Sequence, residues 1–287
     1  MASIQSQLVQ PRRVAPDEGR KHVASFSGGK DSSAMVVRML ETEMPLDKVA
    51  FAETTLEFKE IYDHIAWMDN WLIRHGLKVT FVDRRELIKA MKRTVWIDQN
   101  NEQRIIEKGE NDPRTFHDWF KGYLASGHKE GQVRGWPRTT CRKGGTQGCW
   151  WMREAKYKPL QRVIGGDYTY IGFAFDESGR TMKALERPVY PLKDWGWTEA
   201  YCLKYLDKNS ISKPIHHAFN RTGCFLCPYQ SSASLRTLYE NYPEEWKVIR
   251  ELDRISPHNM KPDVSLDEIE DGSKISTTSN NCQERWF

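Results

Sequence analysis

Short apolar runs alternate with helix-periodic segments over the first third of the chain. His22 to Phe26 is a compact, mainly apolar run that stops at the pair Gly28 and Gly29. Ala34, Val37, Met39 and Leu40 then recur at helical spacing as far as Glu43 and Pro45, the pattern of a helix with one face turned to a core. Val49 to Ala52 predicts a second strand. Ile61, Ile65, Met68 and Leu72 predict a second helix, stopped by Gly76, and Lys78 to Val82 predicts a third strand. Strand, helix, strand, helix, strand is how right-handed βαβ units build a parallel sheet. The expected fold class is therefore α/β, a parallel sheet with helices on both faces. The loop after the first strand falls on the sheet's carboxyl edge, where such folds bind ligands.

The pattern loosens between 93 and 150, where Asn100-Asn101, Gly109 and Asn111-Asp112-Pro113 are turn signals and several aromatics intervene. This stretch is expected to be an insertion or helical lobe. Tyr168 to Phe175 predicts a further strand, Thr198 to Leu206 a helix, and Glu244 to Ile255 a helix opened by Pro243. Residues 1–20 read as a polar lead-in, 21–255 as the folded domain with a helical C-terminal region, and 256–287 as a loosely held polar tail.

Composition narrows the class. With 287 residues, 39% hydrophobic and 11% aromatic, the chain can bury a core and is unlike a disordered one. No window approaches 18 consecutive apolar residues, and the first twenty lack the apolar stretch of a secretory signal, so a cytoplasmic protein without membrane contact is expected. From Arg84 to Arg162 there are 18 Lys and Arg against 9 Asp and Glu. A basic segment of this kind suits a nucleotide or nucleic-acid partner, and equally a solvated face. Six cysteines in a chain of this length do not make a secreted disulfide framework.

The string SGGKDSS, Ser27 to Ser33, carries the most chemistry. Gly28 and Gly29 let the backbone approach an anion, the following helix offers unpaired N–H groups, Lys30 adds a charge, and Ser27, Ser32 and Ser33 add hydroxyls. These converge on a phosphate. The lysine follows the glycine pair directly, so this is not a GxxxxGK[ST] loop; the plain alternative is a capped Gly-Gly turn.

Four cysteines fall in two pairs. Cys224 and Cys227 form C-x2-C between Gly223 and Pro228, and Cys141 and Cys149 form C-x7-C. Two such pairs supply a tetrahedral four-thiolate site, which suits zinc and a [4Fe-4S] cluster alike, unless all four are reduced core residues. Arg142 and Lys143 beside Cys141 favour the thiolate. Cys202 lies on a helical pattern and reads as packing, and Cys282 lies in the tail.

SGGKDS after a strand resembles the PP-loop of the adenine-nucleotide α-hydrolase-like proteins. With VAFAETTLEFKEIYDHI at 49–65, GFAFDES at 172–178, YPLKDWGWTEAYCLKYL at 190–206 and RTGCFLCPYQS at 221–231, the chain is similar to the phosphoadenosine phosphosulfate (PAPS) reductase family. The resemblance implies that Ser27, Gly28, Gly29, Lys30, Asp31 and Ser32 hold ATP or another adenine nucleotide such as PAPS, with Mg2+ as an accompanying cation, and that Glu53 and Thr54 lie near the adenosine. It implies an acidic pair at Asp176 and Glu177, acting with Lys30 and Asp31 in catalysis. Where the family often has Arg, this chain has Ala174, with Arg180 nearby. The family's cluster-bearing members imply a [4Fe-4S] cluster on Cys141, Cys149, Cys224 and Cys227, although their upstream pair is often adjacent. They also carry a lysine facing the substrate, matched here by Lys156 or Lys158.

The implied function is an enzyme that handles sulfur beside a nucleotide. It either reduces adenylyl sulfate or PAPS with a thiol, or uses ATP to adenylate a nucleic-acid or small-molecule acceptor that sulfur then attacks. Partners would be a sulfur- or electron-donor protein and the acceptor, with the oligomeric state open. The contrasting expectation is a zinc-stapled nucleotide-binding protein without turnover. Trp195, Trp197, His216 and His217 read as structural.

Overall fold

The computed structural model describes residues 19–275, apart from 99, 101, 123–132, 138–140, 143–144, 147–148, 178 and 181–184; at 141–142 and 145–146 it describes the backbone. The chain runs β1 (His22–Phe26), α1 (Lys30–Glu41), β2 (Lys48–Glu53), α2 (Lys59–Ile73), β3 (Val79–Asp83) and α3 (Arg84–Leu87). Next come β4 (Thr94–Ile97), β5 (Gln103–Ile106), α4 (Phe116–Lys121), β6 (Cys141–Arg142) and β7 (Gly145–Thr146). A π-helical turn (Met152–Tyr157) leads into α5 (Lys158–Ile164), β8 (Tyr168–Ile171) and β9 (Arg187–Val189). The C-terminal part is helical: α6 (Pro191–Asp194), α7 (Glu199–Lys208), α8 (Pro214–Ala218), α9 (Ser232–Asn241), α10 (Pro243–Ile255) and α11 (Leu266–Glu270).

Five strands form one parallel sheet in the order β3-β2-β1-β8-β9. Its strands are buried on both sides, with the residue period of two deciding which side each serves. Ala24, Phe26, Val49, Phe51 and Tyr170 meet α1 and α2 through Met35, Met39, Ile61, Ile65 and Met68. Val23, Ala50 and Val82 face Leu87, Leu160, Val163 and Ile164 of α3 and α5. Helices therefore cover both faces. The chain steps outward from β1 to β2 to β3 and then returns to place β8 on the other side of β1. That reversal opens a crevice at the carboxyl ends of β1 and β8, the place where ligands bind in such sheets. Among the described residues, no helix is long and apolar enough to cross a membrane.

Three departures from the sequence pattern have physical causes. β8 ends at Ile171 rather than continuing to Phe175, because Gly172 runs against the start of α1: a Cβ there would lie 3.0 Å from Ser32 N. β9 was not expected; it is three residues long and contains Pro188, tolerable because it lies at the sheet edge. The first part of the expected polar tail, 256–275, is packed. Met260, Leu266 and Ile269 are buried, and the Trp246 indole donates to Glu270 at 2.8 Å, so sparse apolar positions sufficed to anchor it.

Candidate functional site: the phosphate loop and the cysteine loop

The loop from Ser27 to Lys30 is determined by its neighbours. Gly28 has φ +72°, and a Cβ there would come within 2.9 Å of Ile61 Cγ2, so both conformation and space require glycine. Ser32 Oγ accepts from Ser27 N at 3.2 Å, lies 3.0 Å from Ser27 Oγ and donates to Gly29 O at 3.1 Å. Gly29 is the N-cap of α1 and supplies no side-chain cap, which leaves the first-turn N–H groups open toward the crevice.

Lys30 is buried. Its Nζ donates to Glu199 Oε2 at 2.7 Å and to Asn220 O at 3.2 Å, and lies 3.8 Å from Asp31. Burial pulls its pKa down, but Asp31 and Glu199 outweigh that, so it stays charged. Asp31 is pushed up to about 7, chiefly by burial, opposed by Lys30 and reinforced by the carboxylates of Glu199 and Glu177. Its Oδ1 is buried without a hydrogen-bond partner. A carboxyl poised near neutrality beside a buried ammonium can accept or release a proton as phosphate charge arrives.

Asp176 and Glu177 sit just beyond β8. Asp176 is exposed and accepts from Glu199 N at 3.1 Å, at the start of α7. Glu177 accepts from Ala174 N at 3.2 Å and pairs with Arg180, whose guanidinium lies 4.3 Å over Phe173. Arg180 is thus engaged by Glu177. Glu53 accepts from Tyr62 OH at 2.6 Å and from the N–H of Thr55, which has φ +62°, a strained conformation for a β-branched residue. Thr54 is buried and donates to Glu57 Oε1 at 2.9 Å.

The segment carrying the C-x2-C lies against this loop. A Cβ on Gly29 would stand 3.0 Å from Thr222 Oγ1, two residues before Cys224. Phe225 N donates to Leu56 O at 3.0 Å, and Cys227 N to Cys224 O at 3.2 Å closes a tight turn. Cys149, from the far side of the insertion, lies near them: after burial and the Glu57 carboxylate, ionisation of Cys227 or Cys149 would raise the Cys224 pKa further. Met152 N points at Cys149 Sγ at 3.5 Å. Burial pushes Cys149 up to about 12 and Cys224 well above the usual thiol range. Among the described residues, no three Cys, His, Asp or Glu side chains are arranged to hold one metal ion. The Cys141 side chain and all of Cys282 lie outside the described residues, while Cys202 is fully buried in the core. The three thiols, with a backbone N–H directed at one sulfur, are the donor type of a thiolate-bound centre.

Glu57, Glu199, Asn220 and Thr222, which the sequence did not single out, tie the two loops together. Glu57, fully buried as a side chain, pairs with Lys156 Nζ at 2.9 Å, and Lys156 in turn feels Cys224 and Cys227. Lys158 instead pairs with Glu154 at 2.7 Å. Glu199, Asn220 and Thr222 contact the phosphate loop from the C-terminal part, and no local pattern marks them. His216, read as structural, donates from Nε2 to Gly28 O at 3.0 Å and accepts from Lys213 N through Nδ1 at 3.2 Å.

A family model described as the phosphoadenosine phosphosulfate reductase domain matches residues 21–230. The chain belongs to this family. Two curated relatives are uncharacterized proteins of Methanocaldococcus jannaschii. MJ0066 is 23% identical over 83% of this chain and 43% of its own length, and MJ0973 is 26% identical over 77% and 44%. The chain thus spans less than half the length of these relatives. Among solved structures, the U34-tRNA thiolase NcsA from Methanococcus maripaludis with its [4Fe-4S] cluster aligns over 82% of this chain and 71% of its own, at 15% identity and a TM-score of 0.37.

The family's loop is backed here by two buried histidines, which sets a pH dependence. His64 lies 2.9 Å from Ser33 Oγ, and its pKa is pushed down to about 3 by burial, with His216 and Lys213 adding repulsion. Below the unfolded value near 6.5 the unfolded chain takes up a proton that the folded chain refuses. Stability should therefore fall as pH drops from 6.5 toward 3, by up to about 1.4 kcal/mol per pH unit for this group. Urea midpoints at pH 7.5 and pH 5 measure the loss. His64→Gln, which keeps a partner for Ser33 but does not titrate, should flatten it; an unchanged pH slope in that variant would assign the effect elsewhere.

Proposed function

We propose that this chain is an enzyme that binds an adenine nucleotide at Ser27 to Ser32 and carries out sulfur chemistry beside an iron-sulfur centre. One observation carries the reading: the segment from Asn220 to Cys227 touches Lys30 and Gly29 at one end and bears two of the converging thiols at the other. Nucleotide phosphates in the crevice would lie next to the thiols. Cys149, Cys224 and Cys227, with Cys141 as fourth ligand, would hold a [4Fe-4S] cluster, which when bound supplies iron for sulfur ligation or electron transfer. Lys30 and the first-turn N–H groups of α1 would stabilise charge on the departing phosphate.

ATP-dependent sulfur transfer is favoured over reduction of a phosphosulfate by the surroundings of Ala174. This residue is buried, its N–H is taken by Glu177, and the neighbouring Arg180 is paired with the same carboxylate. A bidentate clamp for a sulfate group is therefore missing at the position where the family often has Arg. In the favoured reaction, an oxygen of the acceptor attacks the α-phosphorus, pyrophosphate leaves, and sulfur then displaces AMP. The test uses anaerobically purified full chain. With ATP and an oligonucleotide mixture, pyrophosphate release is expected. Sulfite formed from PAPS and a thiol, without pyrophosphate from ATP, would reverse the assignment, and a colourless protein with one zinc and neither product would leave only a stapled nucleotide-binding fold.

A further inference from the structure

The lobe that follows β3 holds a group of cations for which the reaction so far has no use. Arg84, 2% exposed as a side chain, donates to the Asp112 carboxylate at 2.8 Å and to the carbonyls of Asp112 and Arg114. Arg114 binds the same carboxylate, at 2.9 Å, and its guanidinium carbon lies 4.4 Å over the Trp119 ring. Arg153 and Lys158 share Glu154. Arg134 differs from these. It is stacked 5.1 Å over Trp119 and 5.3 Å over Trp150, and among the described residues no acceptor hydrogen-bonds its guanidinium. Burial holds its pKa below the usual arginine value; the Glu154 carboxylate, already paired with Arg153 and Lys158, opposes that shift, and the charges of Arg114 and Arg153 add to it. The indole Nε1 atoms of Trp119 and Trp150 and the Nε of Arg84 are also buried without an acceptor. Asp118, on the same helix, accepts from Thr115 through Oδ2, while its Oδ1 is buried without a partner. Nearly parallel, with centroids 6.4 Å apart, the Trp119 and Trp150 rings form a floor under the guanidinium.

Stacking covers the faces of a guanidinium and leaves its donor edge for a bidentate oxyanion. An arginine so held, without an acceptor and beside two further arginines, is prepared for a phosphate. The position matters as well: Trp150 follows Cys149 directly, and Arg84 follows the last residue of β3 at the carboxyl edge. The nucleotide's own phosphates are accounted for at Ser27 to Ser32, so this second anion site serves another molecule.

We propose that Arg134, with Arg114 and Arg153 on the Trp119–Trp150 floor, is a backbone-phosphate subsite for a single-stranded nucleic-acid acceptor. This rests on the sulfur-transfer reading for its purpose, but its test does not. The subsite would place a strand beside the cysteine loop, since Trp150 of the floor follows Cys149 directly.

Fluorescence anisotropy of the full chain with a labelled 20-nucleotide single-stranded RNA, across a salt series, tests it. Arg134→Ala should weaken binding about tenfold and lower the salt slope by about 0.7, the share of one phosphate contact. Arg134→Lys should keep the slope but lose part of the affinity, because the charge remains while the fork does not. Arg153→Ala, at an exposed position, should act in the same direction and guards against a folding defect at Arg134. Binding of a fluorescent ATP analogue should be unchanged in all three. RNA affinity and slope equal to the parent's in the Arg134 and Arg153 variants would overturn the proposal. So would a loss of PAPS binding with no RNA binding, which would assign the site to a second phosphate of the nucleotide. Arg134-dependent RNA binding without pyrophosphate release from ATP would retain the subsite and remove the sulfur-transfer reading.

Discussion

Lys30→Ala should lower pyrophosphate release from ATP by about 10²- to 10³-fold, the typical loss when one preorganised charge-stabilising donor is removed. The effect is large because Lys30 does two things. Its ammonium is the buried cation of the crevice, and it offsets Asp31, Glu177 and Glu199, the three carboxylates that raise its pKa. Without it, an incoming polyphosphate meets those carboxylates uncompensated. Nucleotide binding should therefore weaken along with turnover, a fall in kcat and a rise in KM together. Folding should be affected little, since Glu199 is partly exposed and the buried Asp31, already pushed up to about 7, can take up a proton when Lys30 is gone. Lys30→Arg should not restore activity, because a planar guanidinium does not reproduce the point contacts of the ammonium with Glu199 Oε2 and Asn220 O. Release measured at the parent's rate in Lys30→Ala would show that the nucleotide is held elsewhere.

Cys224→Ser and Cys227→Ser should each abolish cluster assembly. Their sulfurs lie in one tight turn held to Leu56, just beyond β2, which fixes both positions. Iron and acid-labile sulfide content and the visible absorbance of anaerobically reconstituted protein are the readouts. Both should fall to background, and formation of a thiolated product should stop. Pyrophosphate release should persist, since Lys30 and the α1 N-terminus are untouched. Cys202→Ser should retain full iron content, because that residue is fully buried in the core beside Asp31. Cys149→Ser and Cys141→Ser complete the series and show which upstream thiols ligate. Full iron content in the Cys224 and Cys227 variants would refute the ligand assignment.

Much of the fold was legible in the chain because its elements are locally consistent. β1 runs over His22–Phe26, as its apolar run indicates, and α10 opens at Pro243, where a missing N–H costs nothing. The phosphate loop was legible for the same reason, since glycines, lysine and serines in one short string have few other uses. The acidic partners of Lys30 were half visible: Asp31 adjoins it in sequence, whereas Glu199 comes from a helix 169 residues away. The insertion was the least legible part. Its Arg84–Asp112–Arg114 network and its stacked tryptophans obey neither a helical nor a strand period, because they are held by long-range ion pairs and ring contacts rather than by a repeating face.

By itself the sequence determined the parallel α/β core, the position of the glycine, lysine and serine string after the first strand, and the spacing of the thiols. These depend on residue periodicity and on chemistry confined to a few adjacent positions. Only the tertiary structure decided that Thr222 and Asn220 press the cysteine loop onto the loop after β1, and that Arg134 is stacked on two indoles with no hydrogen-bonded acceptor among the described residues. Those are distances between segments far apart along the chain, set by how the helices close over the sheet edge, and local pattern carries no record of them.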